Sequence, residues 1–433
     1  MKIAITTLGT RGDLQPYIAL GLGLKQAGYD VLLISSKNEE AFATGFGLAY
    51  HALNVDIQKI MEGEVAQKMA KGDNPVRFIL SHLQGSATLK QMMVAVQEEV
   101  WEACRGADAI IYHPGMPNGY FIGRELGIPS IMASPFPVTP TKDYPSILFY
   151  SGPRLGRLYN ALTHAIFERA FWAITKSAVK VFWSGKSKPN VVGTSPPTQL
   201  QVSSGMPVVY GYSEQFFRRP AEWPANVQVT GHWSVPNDAN WTPPDDLVAF
   251  INAGPPPVYV GFGSMKDAST ANETLDIVSE AIKQVNQRAV VALGWNTLHG
   301  AVPSPNHLFL VESAPHAWLF PRMAAVVHHG GAGTTAAGLM AGKPTIIIPH
   351  SADQPAWGKR VYELGVGSKP IPKKKLSVNA LAAALQTALD PLVAVKAEEL
   401  GRKLRTDNGV EKAVKLIDSF LKMQRQPVAQ SRS

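Results

Sequence analysis

The chain opens on an apolar run, KIAITTLG, without the alternation of a half-exposed strand, so it predicts a strand buried on both faces. In LQPYIALGLGLKQAG, Leu14, Ile18 and Leu24 then fall at helical spacing before Gly28 stops the pattern, and YDVLLIS brings a second apolar run. This is a βαβ unit. The same opening recurs in the second half: PVYVGFGS follows NAGPPP, the helical stretch TANETLDIVSEAI carries Thr270 and Glu273 at capping-box spacing, and RAVVALG reads as the next strand. Strands alternating with helices predict an α/β fold built on parallel sheets covered on both faces. HWSVPNDANWTPPDD, rich in proline and polar residues, reads as a linker. The expected division is therefore a first domain at 1–231, the linker at 232–246, a second domain at 247–395, closing helices at 396–423 and a disordered tail at 424–433.

Composition narrows this picture. A chain of 433 residues with 45% hydrophobic residues exceeds what one core usually supports, consistent with two domains of roughly 200 residues each. A single cysteine, Cys104, excludes an intramolecular disulfide framework and a cysteine-rich zinc site, and suits a reducing, cytoplasmic setting. In MKIAITTLGTRGD, Arg11 and Asp13 end the apolar run before a signal-peptide core could form, and no run approaches the roughly 18 apolar residues of a membrane span. A net charge of +8 suits nucleic acid, an anionic lipid surface or an anionic small ligand. The cations are scattered, with one tight run at Lys373 to Lys375, which disfavours a nucleic-acid groove and leaves transient membrane-surface association open.

The candidate chemistry begins at VVHHGGAGTT. After a strand ending in His328 and His329, Gly330, Gly331 and Gly333 lead into the helix of TTAAGLMAG. Free amides at a helix start, with no side chains in the way, make an anion site for a phosphate or diphosphate, built here from Gly331, Ala332, Gly333 and Thr334. His329 beside it can donate a hydrogen bond to phosphate, whereas His328 points to the other side of the strand and reads as structural. GAGTTA also satisfies the dinucleotide pattern, with Asp353 about twenty residues on, so a nicotinamide oxidoreductase remains open; that fingerprint, however, normally sits in the first βαβ unit of its domain. Asp353 and Gln354 follow the apolar run PTIIIP and offer acceptors and donors to neighbouring sugar hydroxyls, or Asp353 caps the helix beginning near Pro355. Phosphates on one loop and hexose on the next make a nucleotide-sugar grip, which an epimerase would share.

GTRGDLQPYIALGLGL, PPPVYVGFGSM and APHAWLFPRMAAVVHHGGAGTTAAGLMAGKPTIIIPHSADQPAWGKRVYELGVG together resemble the sterol 3-beta-glucosyltransferases, within the UDP-dependent glycosyltransferases that include macrolide and glycopeptide-antibiotic enzymes. The resemblance implies the GT-B arrangement, two Rossmann-like domains with parallel sheets facing across a cleft, with the acceptor held by the first half, the UDP-sugar by the second, and the helix AVKLIDSFLKM crossing back to the first. It also implies an inverting, metal-independent transfer of a hexose, glucose by resemblance, to a lipophilic alcohol, with phenolic or macrolide aglycones as alternatives. Asp13 of GTRGD becomes the candidate general base; its other reading is the N-cap of a helix starting at Leu14, in which Pro16 would lack the N–H that a cap accepts. His113, ending DAIIYH, is a candidate hydrogen-bond partner for Asp13 beside the same cleft. The resemblance adds Thr10, Arg11, Gly263, Ser264, Ser313 and His316 to the donor side, and Phe136 and Tyr144 of MASPFPVTPTKDYPS to the acceptor side. In LYNALTHAIFERAFW, Leu158, Leu162, Ile166 and Phe167 share a helical face, with Phe171 near its end; core packing is the first reading, and an acceptor wall at Phe167 and Phe171 the second. There is no D-x-D or H-E-x-x-H sequence to hold a metal.

Overall fold

A computed structural model of the chain describes residues 1–57, 59, 87–235, 241–261, 268–292, 306–350 and 352–425. Two all-parallel sheets organise it. The first runs β1 (Lys2–Thr6), β2 (Asp30–Ser36), β3 (Ala49–Leu53), β4 (Ala109–Tyr112), β5 (Ser130–Ser134), β6 (Val208–Tyr210) and β7 (Val227–Val229), in the spatial order β3-β2-β1-β4-β5-β6-β7. The second contains β8 (Val258–Gly261), β9 (Ala289–Ala292), β10 (Leu308–Val311), β11 (Val326–His328) and β12 (Thr345–Ile347), in the order β10-β9-β8-β11-β12. Strands β1 and β4 are buried along nearly their whole length, as unalternating sequence requires of strands covered on both faces.

In both sheets the strand order reverses between the first and fourth strands, β1 and β4 in one and β8 and β11 in the other, while every strand stays parallel. Open α/β sheets bind ligands outside the carboxyl ends of strands at such a switch point. The glycine loop follows β11, so it lies on the far side of the switch from a fingerprint after the first strand. That placement explains its lateness in the chain.

Five helices position the site: α1 (Arg11–Gln26), α2 (Arg157–Gly185), α3 (Ala332–Met340), α4 (Gln354–Glu363) and α5 (Gly409–Arg425). The structure starts α1 at Arg11, with Thr10 as N-cap, rather than at Leu14. Helix α5 lies against α1: Gly23 faces Val410 and Val414 so closely that a Cβ would come within 2.5 Å of Val410, and Tyr29 Oη donates to Asp418 at 2.8 Å. Ala413, Ile417, Phe420 and Leu421 join Leu14, Tyr17 and Leu24 in one buried cluster. The helix before α5 begins at Pro391 and packs on α3, where Gly401 sits 2.7 Å, by its absent Cβ, from the Leu339 carbonyl. It therefore belongs with the second sheet. The tail from residue 426 lies outside the described residues.

The halves meet through α4. Trp357 lies edge-on to Phe216 and Phe217, with ring centroids 5.6 and 5.5 Å away, and joins a buried cluster drawn from both sheets. Around it Lys359 donates to the Gly152 carbonyl at 2.9 Å, and Glu363 accepts from Arg154 and Tyr150, each at 2.8 Å. Cys104 is a buried free thiol. Among the described residues no single helix is long and apolar enough to cross a membrane.

Candidate active site

The chain leaves β11 through Gly330, whose φ of +96° and whose absent Cβ, which would stand 2.6 Å from Ile347 Cγ2, both demand glycine. Gly331 is the N-cap of α3 and contributes no side chain. A Cβ on Gly331 would lie 2.9 Å from His329 Nε2, so the imidazole sits directly over the loop. Gly333 is different: a Cβ there would meet nothing within 4 Å. Packing does not require glycine at 333, whereas close approach of an anion to the first-turn amides of Ala332, Gly333 and Thr334, which have no intrahelical acceptor, would.

The two histidines divide as their alternation predicts. His328 is fully buried and its Nδ1 accepts from the Gly330 amide at 3.0 Å, which fixes the turn. His329 faces the loop, and its buried Nδ1 has no hydrogen-bond partner. Burial pulls its pKa down to about 4, so it meets a ligand as a neutral imidazole that donates from one nitrogen. His350 lies 6.3 Å from it, ring to ring, and its pKa falls to about 3 by burial and the nearby Lys373 charge. His316 stacks on Phe320 at 4.2 Å and is likewise held neutral, chiefly by burial, with a pKa of about 4. Ser313 is exposed near the start of this segment, and Thr334 is half-buried on the first turn of α3. Gly263 and Ser264 lie outside the described residues.

Asp353 occupies the N-cap position of α4, yet its carboxylate makes no cap hydrogen bond and instead accepts from Trp357 Nε1 at 2.7 Å. The helix-cap reading of its side chain is thereby corrected: the indole, four residues on, holds it toward the first half. Gln354 Oε1 accepts from the His350 amide at 2.7 Å, which orients the carboxamide at the same helix start. Burial raises the Asp353 pKa to about 6, against the pull of the Trp357 hydrogen bond, and the negative charge of Asp13 adds to the rise. Those two carboxylates come from opposite halves, close enough to sense each other.

Asp13 is the third residue of α1, not its N-cap. Its Oδ2 accepts from the Thr10 amide at 2.7 Å and from Thr10 Oγ1 at 3.1 Å, the carboxylate half of a capping box, which pins the side chain at the end of β1. Gly9 gives it room, since a Cβ there would lie 2.2 Å from Oδ2. No hydrogen bond to Oδ1 arises among the described residues, so that oxygen is available to a ligand. Burial raises the Asp13 pKa, and the two Thr10 hydrogen bonds lower it.

Three expected neighbours are placed otherwise. Arg11 turns away to Glu39 at 3.6 Å and lies over the Phe42 ring at 4.2 Å, so its charge is engaged on the outer side of α1. His113 makes no hydrogen bond to Asp13: its Nδ1 accepts from the Gly115 amide at 2.9 Å, and its ring sits edge-on to Tyr17 and Phe136. Tyr144 packs against Phe217 with centroids 5.5 Å apart, away from the cavity described next.

Phe136, Phe167 and Phe171 do converge, with Trp172, Ile147 and Val138, on an apolar cavity of about 130 Å³. Its wall is closed on one side by Pro114, just after β4, and on another by Ala352 and Asp353 of the second half. Glu168 adds a carboxylate, held by Thr198 Oγ1 at 2.6 Å. Sequence reasoning missed Trp357, Trp172 and Glu168. The Asp353–Trp357 pair was visible as a spacing of four at a helix start; the other two carried no pattern.

A glycine loop leading into α3 beside the second sheet, a carboxylate from the first half and an apolar cavity lined by both halves fit a GT-B glycosyltransferase architecture. The glycosyltransferase family 28 N-terminal domain matches residues 3–145, and the erythromycin biosynthesis protein CIII-like C-terminal domain matches residues 276–411. A sterol 3-beta-glucosyltransferase of Arabidopsis thaliana is 34% identical over 418 residues, 96% of this chain and 67% of the relative. One from Aspergillus oryzae is 32% identical over 433 residues, 96% of this chain and 30% of the relative. The chain thus spans about two thirds of the plant relative and under a third of the fungal one. The chain belongs to the glycosyltransferase family of the sterol 3-beta-glucosyltransferases. Its fold is that of the kitacinnamycin glycotransferase (TM-score 0.71, 19% identity, covering 97% of this chain and 99% of that one) and of the calicheamicin glycosyltransferase CalG4 (TM-score 0.68, 15% identity, 98% and 99%). A related structure, SsfS6 of Streptomyces, is complexed with thymidine diphosphate (TM-score 0.64, 16% identity, 97% and 99%).

Proposed function

We propose that the protein is an inverting glycosyltransferase that moves a hexose, glucose by family relation, from a UDP-sugar to a hydroxyl of a lipophilic acceptor such as a sterol. The carrying observation is the pair of carboxylates from opposite halves, Asp13 beside the apolar cavity's strand ends and Asp353 in its wall, with the anion loop adjoining the latter. The diphosphate accepts hydrogen bonds from the amides of Ala332, Gly333 and Thr334 and from His329; the hexose hydroxyls engage Asp353 and Gln354. The acceptor's apolar body lies against Phe136, Phe167 and Phe171.

In the reaction the acceptor oxygen forms a bond to the anomeric carbon as the bond from that carbon to the diphosphate oxygen breaks. Asp13 Oδ1 takes the hydroxyl proton, and the leaving UDP carries away the bonding electron pair. Its new charge faces the α3 amides and dipole, oriented before the reaction begins and therefore without reorganisation cost. No divalent ion has a part in this step.

A donor-by-acceptor screen read by mass spectrometry tests the reading. It predicts a hexose added to a sterol or comparable alcohol, with UDP released in equal amount. Donor consumption without acceptor would favour an epimerase, and a change in nicotinamide absorbance an oxidoreductase.

A further inference from the structure

Helix α2 has two apolar faces, and one of them is bare. Phe167, Phe171 and Trp172 turn inward to the cavity. On the side away from Phe167 and Phe171, Leu158 is 85% exposed, Leu162 56% and Ile166 40%, with Leu155, just before the helix, at 66%. Leu158, Leu162 and Ile166 were expected in the core with Phe167; only Phe167 is buried. Spacing by four places residues 158, 162 and 166 one above another along a single stripe, so they form a patch rather than scattered exposures.

The stripe continues in a different chemistry. Positions 169, 176 and 180 fall on the same line of the helix, and they hold Arg169, Lys176 and Lys180, of which Arg169 and Lys180 are exposed. The helix's one carboxylate, Glu168, is turned to Thr198. Arg157, at the leucine end, is already paired with Asp143 at 3.1 Å. Arg169 lies near enough to Glu168 to lower its pKa, and Lys176 Nζ sits 5.9 Å from the Trp172 ring centroid, but among the described residues neither is drawn into an ion pair with another element, so an exposed apolar stripe running into a row of cations matches two layers of one partner: acyl chains and anionic headgroups. A second copy of this chain could cover the leucines but would leave the cation row unanswered.

We propose that this face of α2 docks on a phospholipid surface bearing anionic headgroups, Leu158, Leu162 and Ile166 entering the acyl boundary while Arg169 and Lys180 bind phosphates. Docking would set the outer wall of the apolar cavity against the phase in which a lipophilic molecule is dissolved. The surface itself does not depend on the identity of the acceptor.

The test is flotation of the full chain with vesicles of phosphatidylcholine alone or with about 30 mol% phosphatidylserine. The wild-type protein should float with the anionic vesicles and be released by about 0.5 M salt, which screens the headgroup attraction. Leu158→Glu/Leu162→Glu and, separately, Arg169→Gln/Lys180→Gln should each lose binding by on the order of tenfold or more. Both variants should keep the wild-type melting temperature and the rate on a water-soluble phenol, so that loss of flotation is not misfolding. Wild-type protein that stays unbound, or variants that float like wild type, would overturn the proposal. So would a wild-type dimer, by light scattering, that Leu158→Glu/Leu162→Glu splits without changing vesicle binding. Failure of the glycosyltransferase reading would instead show as no transfer to any acceptor, a separate result.

Discussion

Replacing Asp13 by asparagine removes one proton acceptor and little else. In the native site Oδ2 is held by the Thr10 amide at 2.7 Å and by Thr10 Oγ1 at 3.1 Å, and an asparagine carbonyl can keep both contacts. Neutral hydrogen bonds replace charge-assisted ones at the first turn of α1, a loss of about 0.5–1 kcal/mol. That loss is offset in part because the site already disfavours the charged carboxylate by burial. Folding should therefore survive, with a melting temperature within a few degrees of wild type. The rate is another matter. The asparagine NH₂ takes the place of Oδ1 and cannot accept the acceptor's proton, so turnover should fall by about 10²- to 10⁴-fold, on the order of 3–5 kcal/mol in the barrier. The assay is initial-rate transfer from UDP-sugar to a lipophilic alcohol, with UDP affinity measured beside it by calorimetry. UDP affinity should change by less than about twofold, since the α3 amides and His329 are untouched. A purified variant with turnover within about threefold of wild type would remove Asp13 from the chemistry and refute the assignment.

Other expectations follow from the same geometry. Asp353 has its pKa raised to about 6, so it weakens the fold as pH climbs from the ordinary carboxylate range through 6; in Asp353→Asn that downward slope of thermal stability should flatten, as read by melting curves at pH 4 to 8. Ionised Asp353 is the better acceptor for sugar hydroxyls, so UDP-sugar affinity in the wild type should rise across pH 6 relative to that variant. His329→Ala should weaken UDP binding by roughly tenfold, the worth of one hydrogen bond to a charged group, and by the same factor at pH 6 and 8 because the imidazole is neutral at both. Gly330→Ala, which must hold a positive φ and set a Cβ 2.6 Å from Ile347, should cost about 1–3 kcal/mol of stability together with UDP binding. Chelation of divalent ions should leave the transfer rate unchanged.

How much of this the sequence disclosed varies with the kind of signal. The paired strand-loop-helix openings were legible because unalternating apolar runs admit few settings other than doubly covered parallel strands. The glycine loop was legible because Gly330 and Gly331 answer to local sterics, and Gly333 to open space. The start of α1 was misplaced: T-x-x-D at Thr10 and Asp13 is a capping pattern that the following Leu14 obscured as the first periodic residue. Apolar period alone could not sort α2, because Leu158 and Leu162 carry the same helical pattern as the buried Phe167 and Trp183 and differ only in what lies beyond them. His113 was placed at the right sheet end, but the contact it makes, to the Gly115 amide, is a local turn that no spacing announced. Tyr144 entered through the resemblance of its segment, and long-range packing against Phe217 decides its place.

Co-crystallisation with UDP and an unreactive sugar analogue tests the central claim most directly, that backbone amides of the second half hold the diphosphate so that the hexose faces a carboxylate of the first. The account predicts diphosphate oxygens within hydrogen-bond distance of the Ala332, Gly333 and Thr334 amides, and the anomeric carbon on the side of Asp13. Nucleotide bound away from the α3 start, or a hexose turned from Asp13, would contradict it.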